Sequence, residues 1–341
     1  MCKASTMGGD HAWYEPKATF HPGAMAYLPS RRLSNIWYNA VNDFTYMKLS
    51  FPSDMLVAVA GAAAEMKKGI QGWYLRNQPE LVGTVKYFAG LWSFMFIEDC
   101  LWMAQGGSSA SRPPAWRAPT FSWASVHNAR CIQFPWTHFL LREVGSGQPF
   151  VRGISERDKI QGPEPIKLYA ELIEGNCTPL PGNTEFGQLS AGYVILSGPL
   201  LEAKIVYWGK DSRCDLEIAN RKENRRSGQP DFRQDYDLRS PEDSRYSVPP
   251  GSEVWCLVMM KTVYEARSQQ IIHALVLRRV KEGKSLKKED VDAGSEGWAE
   301  VHENMETFER IGLVKYVDPC LHKDVEECFD TFDESFVVKI V

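Results

Sequence analysis

The feature that most constrains this chain is a change of hydrophobic period around Arg117-Ala118-Pro119-Thr120-Phe121-Ser122-Trp123-Ala124-Ser125-Val126, with helical spacing before it and strand alternation after it. Pro113, Pro114 and Pro119 cannot occupy a helix interior, and each pushes its preceding residue towards extended backbone. The chain is therefore expected to leave a helical region here and to start a strand over 121–126. Phe121, Trp123 and Val126 supply apolar surface for a seam, while Ser122, Ala124 and Ser125 are small enough to admit another backbone. Trp123 is expected to be buried between the helical region and a sheet.

Upstream, Trp37, Ala40, Val41, Phe44 and Met47 recur at helical spacing, with Asn39, Asn42, Asp43, Thr45 and Lys48 on the other face. Pro52 ends that pattern, and Ser53 or Asp54 offers a cap to a second helix from Met55 to about Lys68. That helix is apolar nearly all round and rich in Ala, which places it at the centre of a small bundle. Gly69 and Gly72 are expected to break it, and a third helical pattern runs over 85–103 through Phe88, Leu91, Trp92, Met95 and Trp102. Residues 106–114 have the small, polar, Pro-ended composition of a linker.

Beyond the seam, strands are expected over 129–134, 166–173, 192–196, 201–208, 254–263, 271–280, 308–317 and 336–341. Many strands without βαβ alternation argue for antiparallel pairing. The expected class is α+β: an irregular leader over 1–34, a small N-terminal helical bundle over 35–105, a linker over 106–118, and an antiparallel β-rich sandwich or barrel domain over 119–341. A charged, aperiodic insertion at about 209–247, with Arg221-Lys222-Glu223-Asn224-Arg225-Arg226, reads as a solvated or disordered loop. A length of 341 residues agrees with two domains.

A formal charge of −4 gives no global attraction to phosphate backbones and argues against a nucleic-acid partner. The eight cysteines are scattered with no C-x-x-C pair and read as free thiols. The first thirty residues lack the apolar core of a secretory signal, and the longest greasy stretch, 91–103, contains Glu98 and Asp99 and is too short to span a bilayer. A cytoplasmic protein is expected, without membrane association.

The motifs that carry chemistry are sparse. Neither glycine-rich nucleotide fingerprint occurs, and there is no G-x-S-x-G elbow. Glu98-Asp99 sits among apolar residues that could raise a carboxyl pKa, yet on a helix the pair falls towards the edge of the apolar stripe, as a polar flank. His127 and Cys131 have metal-ligand or thiol–base spacing only on a helix, and strand is expected there. His322 and Cys328 have no C-x-x-C or H-x-x-x-H neighbours and are not expected to be ligands, Arg31-Arg32 reads as solvated surface, and Arg225-Arg226 reads as part of the charged loop. An enzyme built at the mouth of the β-domain would draw on Asp231, Asp235 or Asp237. The expectation is no catalytic, cofactor-binding or metal-ligating residue; the alternatives are a ligand-binding β-domain or such an enzyme.

Asp43-Phe44-Thr45, Lys48-Leu49-Ser50-Phe51-Pro52-Ser53-Asp54-Met55-Leu56 and Ala58-Val59-Ala60-Gly61 are followed by Tyr87-Phe88-Ala89-Gly90-Leu91-Trp92 and Leu101-Trp102. Next come Ala118-Pro119-Thr120-Phe121-Ser122-Trp123-Ala124-Ser125, the stretch Gly187 to Leu200, and Phe308-Glu309-Arg310-Ile311-Gly312. In this order they resemble the region downstream of the HET domain in fungal heterokaryon-incompatibility proteins. Phe121 stands where that family usually has Trp, and Met55 where it often has Lys. The resemblance implies a regulatory or recognition role in self/non-self recognition and cell death, with a protein partner such as a full-length HET-family relative. The HET domain, a Toll/interleukin-receptor-like unit associated with killing, lies upstream in that family. About 36 residues precede Trp37, too few for such a domain, so the resemblance implies a truncated relative onto which no family functional residue is carried.

Overall fold

The computed structural model describes residues 25–26, 28, 30–47, 49–106, 109–134, 164–208, 213–218, 231–239, 244–264, 269–291, 298–318 and 334–341. Helix α1 (Ser30–Thr45) starts inside the expected leader and buries Leu33, Ile36, Trp37, Tyr38 and Val41. It ends at Thr45, so Met47 leaves the apolar stripe and is 65% exposed, a correction to its expected core position. Helix α2 (Met55–Asn77) runs through Gly69 and Gly72. A Cβ on Gly69 would lie 2.7 Å from the Met25 side chain, and one on Gly72 2.9 Å from Ala26, so these glycines admit a neighbouring segment and do not end the helix. Val57 and Leu75 are exposed, which makes α2 a surface helix with one buried stripe, not the centre of a bundle.

The third expected helix is absent. Residues 85–105 form a tight hairpin of β1 (Tyr87–Phe88) and β2 (Leu91–Trp92), a single helical turn α3 (Phe96–Asp99), and strand β3 (Met103–Gln105). Ala89 and Gly90 both have positive φ, 50° and 100°, as a two-residue hairpin turn of the primed type requires. Because residues 87–92 are apolar or small and all buried, periodicity could not separate strand from helix there. The seam also departs from expectation. Residues 121–126 form a 3-10 turn centred on Trp123–Ser125, and the pairing strand is β4 (Cys131–Gln133), which joins β3. Ser122 Oγ accepts from Ala124 N and donates to the Ala89 carbonyl, so local hydroxyl bonds replace a ladder. Trp123 is 1% exposed, with its indole donating to Gly90 O beside that of Trp37.

Nor does the expected linker lie free. Ala110, Ser111, Arg112, Arg117 and Ala118 are buried. Arg117 donates to the carbonyls of Ala124, Pro52 and Val126, and Arg112 donates to Ser125 and to the carbonyl of Arg310. The composition of a linker here serves close packing.

The remaining strands form one eleven-stranded sheet. Its spine is antiparallel: β11 (Glu253–Tyr264), β12 (Gln269–Lys281) and β14 (Thr307–Asp318). The outer edge of β11 is shared by β8 (Leu200–Trp208) and β5 (Glu164–Leu168), and that of β14 by β15 (Phe336–Ile340) and β10 (Asp231–Gln234). The β14–β15 pair is parallel, a departure from a purely antiparallel sheet. Only Pro199 separates β7 (Leu189–Gly198) from β8, yet β7 pairs with β15 and β6 (Glu171–Pro179) while β8 pairs with β11. Likewise β5 passes into β6 through Tyr169 and Ala170, whose N–H groups both donate to Met259 O. Each long segment turns a corner, and the sheet curls until its path returns to itself at Pro199. Within the insertion at 209–247, β9 (Arg213–Ile218) and β10 are strands and Asp235, Tyr236 and Leu238 are buried, which corrects the loop reading there. Arg221–Arg226 lie outside the described residues. The small β13 (Leu286–Lys287) and helix α4 (Trp298–Asn304) complete the described elements.

One contiguous hydrophobic cluster runs from Met25 through Trp37, Trp92, Trp102 and Trp123 to Ile340. Helices, hairpin, seam and sheet therefore bury against one another. At its centre Arg310 is 0% exposed. Its guanidinium bonds both Asp235 oxygens at 2.9 and 3.1 Å, the carbonyls of Cys100 and Trp102, and lies over the Trp102 ring at 3.6 Å. We expect Arg310→Met to destabilise by about 3–5 kcal/mol, because it strands the Asp235 carboxylate in the core. Denaturant titration measures this, and a loss below about 1 kcal/mol would show that the pair is dispensable.

Candidate recognition site

The end of α1 is tied to β4: Asn42 donates to Ile132 O at 3.0 Å, and Ile132 N donates to Thr45 Oγ1 at 2.9 Å. Among the described residues that follow, 46–47 and 49–54, Pro52 is tied to the seam by Arg117, which donates to its carbonyl. The loop 127–130 is fixed at both ends, by reciprocal backbone bonds between His127 and Ser111 at 2.7 and 2.8 Å and by Arg130 N to Gln105 O at 3.0 Å. Between them Asn128 takes φ of 58°, which Asn tolerates better than most residues. These two fixed loops enclose a groove of about 600 Å³.

The groove is mainly apolar. Met47, Leu49, Pro52, Met55, Val126 and Ile132 line it with one face of Trp123, while Tyr46, His127, Asn128 and Arg130 supply polar atoms. Tyr46 is 54% exposed, and Phe51, in the same turn, is 68% exposed. Trp116, beside the Arg117 that bonds Pro52, is 47% exposed. Exposed apolar side chains beside an apolar groove mark an interaction surface more often than solvated decoration. The Tyr46 phenol is raised above its ordinary value, first by its bond to the Cys131 thiol and then by the charge interaction with that group.

The residues weighed for chemistry from the sequence do not assemble. Asp99 is 1% exposed, not on a polar flank: it accepts from Tyr38 Oη at 2.6 Å and from Trp92 N at 2.7 Å, which ties α1 to the hairpin. Glu98 beside it is half-buried. His127 sits at an isolated bridge, while Cys131 begins β4 and is buried. Among the described residues no group of three or more His, Cys, Asp or Glu could hold a metal ion. Asp231 is exposed and paired with Arg233, Asp235 belongs to the Arg310 pair, and Asp237 accepts from Arg239 N. Arg32 is exposed on α1; the Arg31 side chain, Arg225, Arg226, His322 and Cys328 lie outside the described residues.

One titratable cluster escaped the sequence reading. Glu174 on β6 accepts from Tyr193 Oη and from Trp298 Nε1, and Tyr193 packs at a tilt of 59° against His302 with centroids 4.6 Å apart and carries Lys339 5.0 Å over its ring. Burial, then the bond to Glu174, pushes Tyr193 up to about 12, and burial lowers His302. These contacts pin α4 to the sheet. Only the i,i+4 spacing of Trp298 and His302 hinted at this in the sequence.

Burial raises the Asp99 carboxyl to about 7, against the pull of the Tyr38 and Trp92 bonds. Its folded-state value lies above the unfolded one, so the stability it contributes is present below about pH 4 and is lost as pH rises through about 7. The full effect is on the order of 4 kcal/mol. Asp99→Asn cannot titrate, so its unfolding free energy should lack the decline that wild type shows across this window. Urea midpoints at matched pH decide it, and parallel profiles for the two proteins would contradict the assignment.

Among the described residues no helix is long and apolar enough to cross a membrane. Compared with known proteins, the chain matches no family model, no curated protein and no solved structure.

Proposed function

We propose that this chain is a non-catalytic recognition module of the fungal heterokaryon-incompatibility type, acting in the cytoplasm by contact with a protein partner, for which a full-length HET-family relative is the candidate. The groove between 46–55 and 126–132 carries this reading: its two loops are tied down by hydrogen bonds, its rim exposes Tyr46 and Met47, and among the described residues its lining holds no carboxylate. Acid–base or nucleophilic catalysis needs a base, an orienting partner and a place for the reacting atom within one pocket, and the groove lacks that set. Pre-ordered apolar surface is instead what protein binding uses, since little entropy is lost on docking.

The stretches that resemble the incompatibility family lie mostly in the core. Gly90, Ser122, Trp123 and Arg310 touch one another's elements by hydrogen bonds, so those stretches specify the platform on which the groove is built. A small-molecule ligand is the second reading, favoured by a volume inside the range of about 300–1,000 Å³ typical of such sites. An enzyme would use the Glu174, Tyr193 and His302 cluster, where partly exposed titratable side chains converge outside the groove.

Expressed in a fungal host without close relatives, residues 1–341 should neither kill cells nor, when purified, consume NAD. Host death, or turnover abolished by Glu174→Gln or His302→Ala, would replace the recognition reading with an enzymatic one.

A further inference from the structure

The groove carries a charge signature that narrows its partner. Among the described residues that line it, Arg130 is the one that bears a full charge. It is exposed, and among the described residues its guanidinium has no carboxylate within ion-pair distance. The backbone on either side of it is fixed by the Gln105 bond and by strand β4, so the side chain leaves from a defined point at the rim. Asp43, the nearby acid on α1, is not part of the lining. In a chain of net charge −4, an unpaired arginine beside an apolar cleft is a local reversal of sign.

Resting on the recognition reading above, we propose that the groove takes a short apolar segment of a partner protein that carries one carboxylate, with Arg130 as its anchor. The physical case is complementarity. Met47 and Met55 present flexible thioethers that adapt to apolar side chains, and Trp123, Val126 and Ile132 give them a floor. A guanidinium pairs with a carboxylate in fork geometry, so it adds orientation as well as attraction. A basic segment would meet repulsion from Arg130 and find no acid among the described residues of the lining. Phe51 in the same turn and Trp116, next in sequence to the Arg117 that bonds Pro52, add exposed apolar side chains for which an extended peptide has more use than a compact small molecule.

The test is selection of a random peptide library on the full chain, with counter-selection on Met47→Asp, an exposed position whose substitution blocks the groove without touching the core. Enriched peptides should combine two or more apolar residues with one Asp or Glu. Arg130→Ala should weaken a representative peptide by about tenfold or more while leaving thermal unfolding unchanged. Replacing the peptide acid by its amide should weaken binding to wild type to the same degree and have no further effect on Arg130→Ala. Enriched peptides without an acid, or with affinity indifferent to Arg130→Ala, would overturn the carboxylate proposal and leave docking at the groove standing. A selection that yields no peptide sensitive to Met47→Asp would overturn both.

Discussion

The Arg310–Asp235 pair is the interaction on which the rest of the structure depends. Removing two charges from water costs several kcal/mol per ion, and that cost is recovered only where the remaining donors and acceptors are satisfied. Here four hydrogen bonds occupy the guanidinium, two to Asp235 and one each to Cys100 O and Trp102 O, and its face lies on the Trp102 indole. Arg310 also receives Arg112 at its carbonyl and gives its N–H to Thr120, whose own N–H donates to Val341 O. The side chain of Arg310 thus gathers the segment after α3 and Asp235, while its backbone holds the seam, whose Thr120 in turn bonds the C-terminal Val341.

The seam gathered there also bounds the groove. Trp123 is held by Gly90, and a Cβ at Gly90 would lie 2.4 Å from the Trp123 indole, so the hairpin turn and the seam are in direct contact. The same seam residue forms the floor of the groove on its other side. Packing in the core is in this way continuous with the surface proposed to bind, and a change at the seam would be felt at both.

How much of this was legible in the sequence depends on whether the signal was local. Strands β7, β8, β11, β12, β14 and β15 follow runs of β-branched and apolar residues bounded by turn chemistry, and α1 follows its 3.6-residue stripe. The hairpin at 87–92 was hidden because every position there is buried, which erases periodicity. The seam was misread because its serines bond their own backbone, and no composition rule separates that from a strand of small residues. Asp235 and Arg310 are 75 positions apart, and nothing local in a charged stretch marks which acid turns inward. The groove was missed for a related reason: Met47 fits the helical stripe, and only the end of α1 at Thr45 turns it outward.

The central claim is that helices, seam and sheet are one cooperative body joined through Arg310. Differential scanning calorimetry of the full chain tests it most directly. The account predicts a single transition in wild type, with the calorimetric enthalpy equal to the van't Hoff value. Two separable transitions, one for the helical segment and one for the sheet, would contradict it.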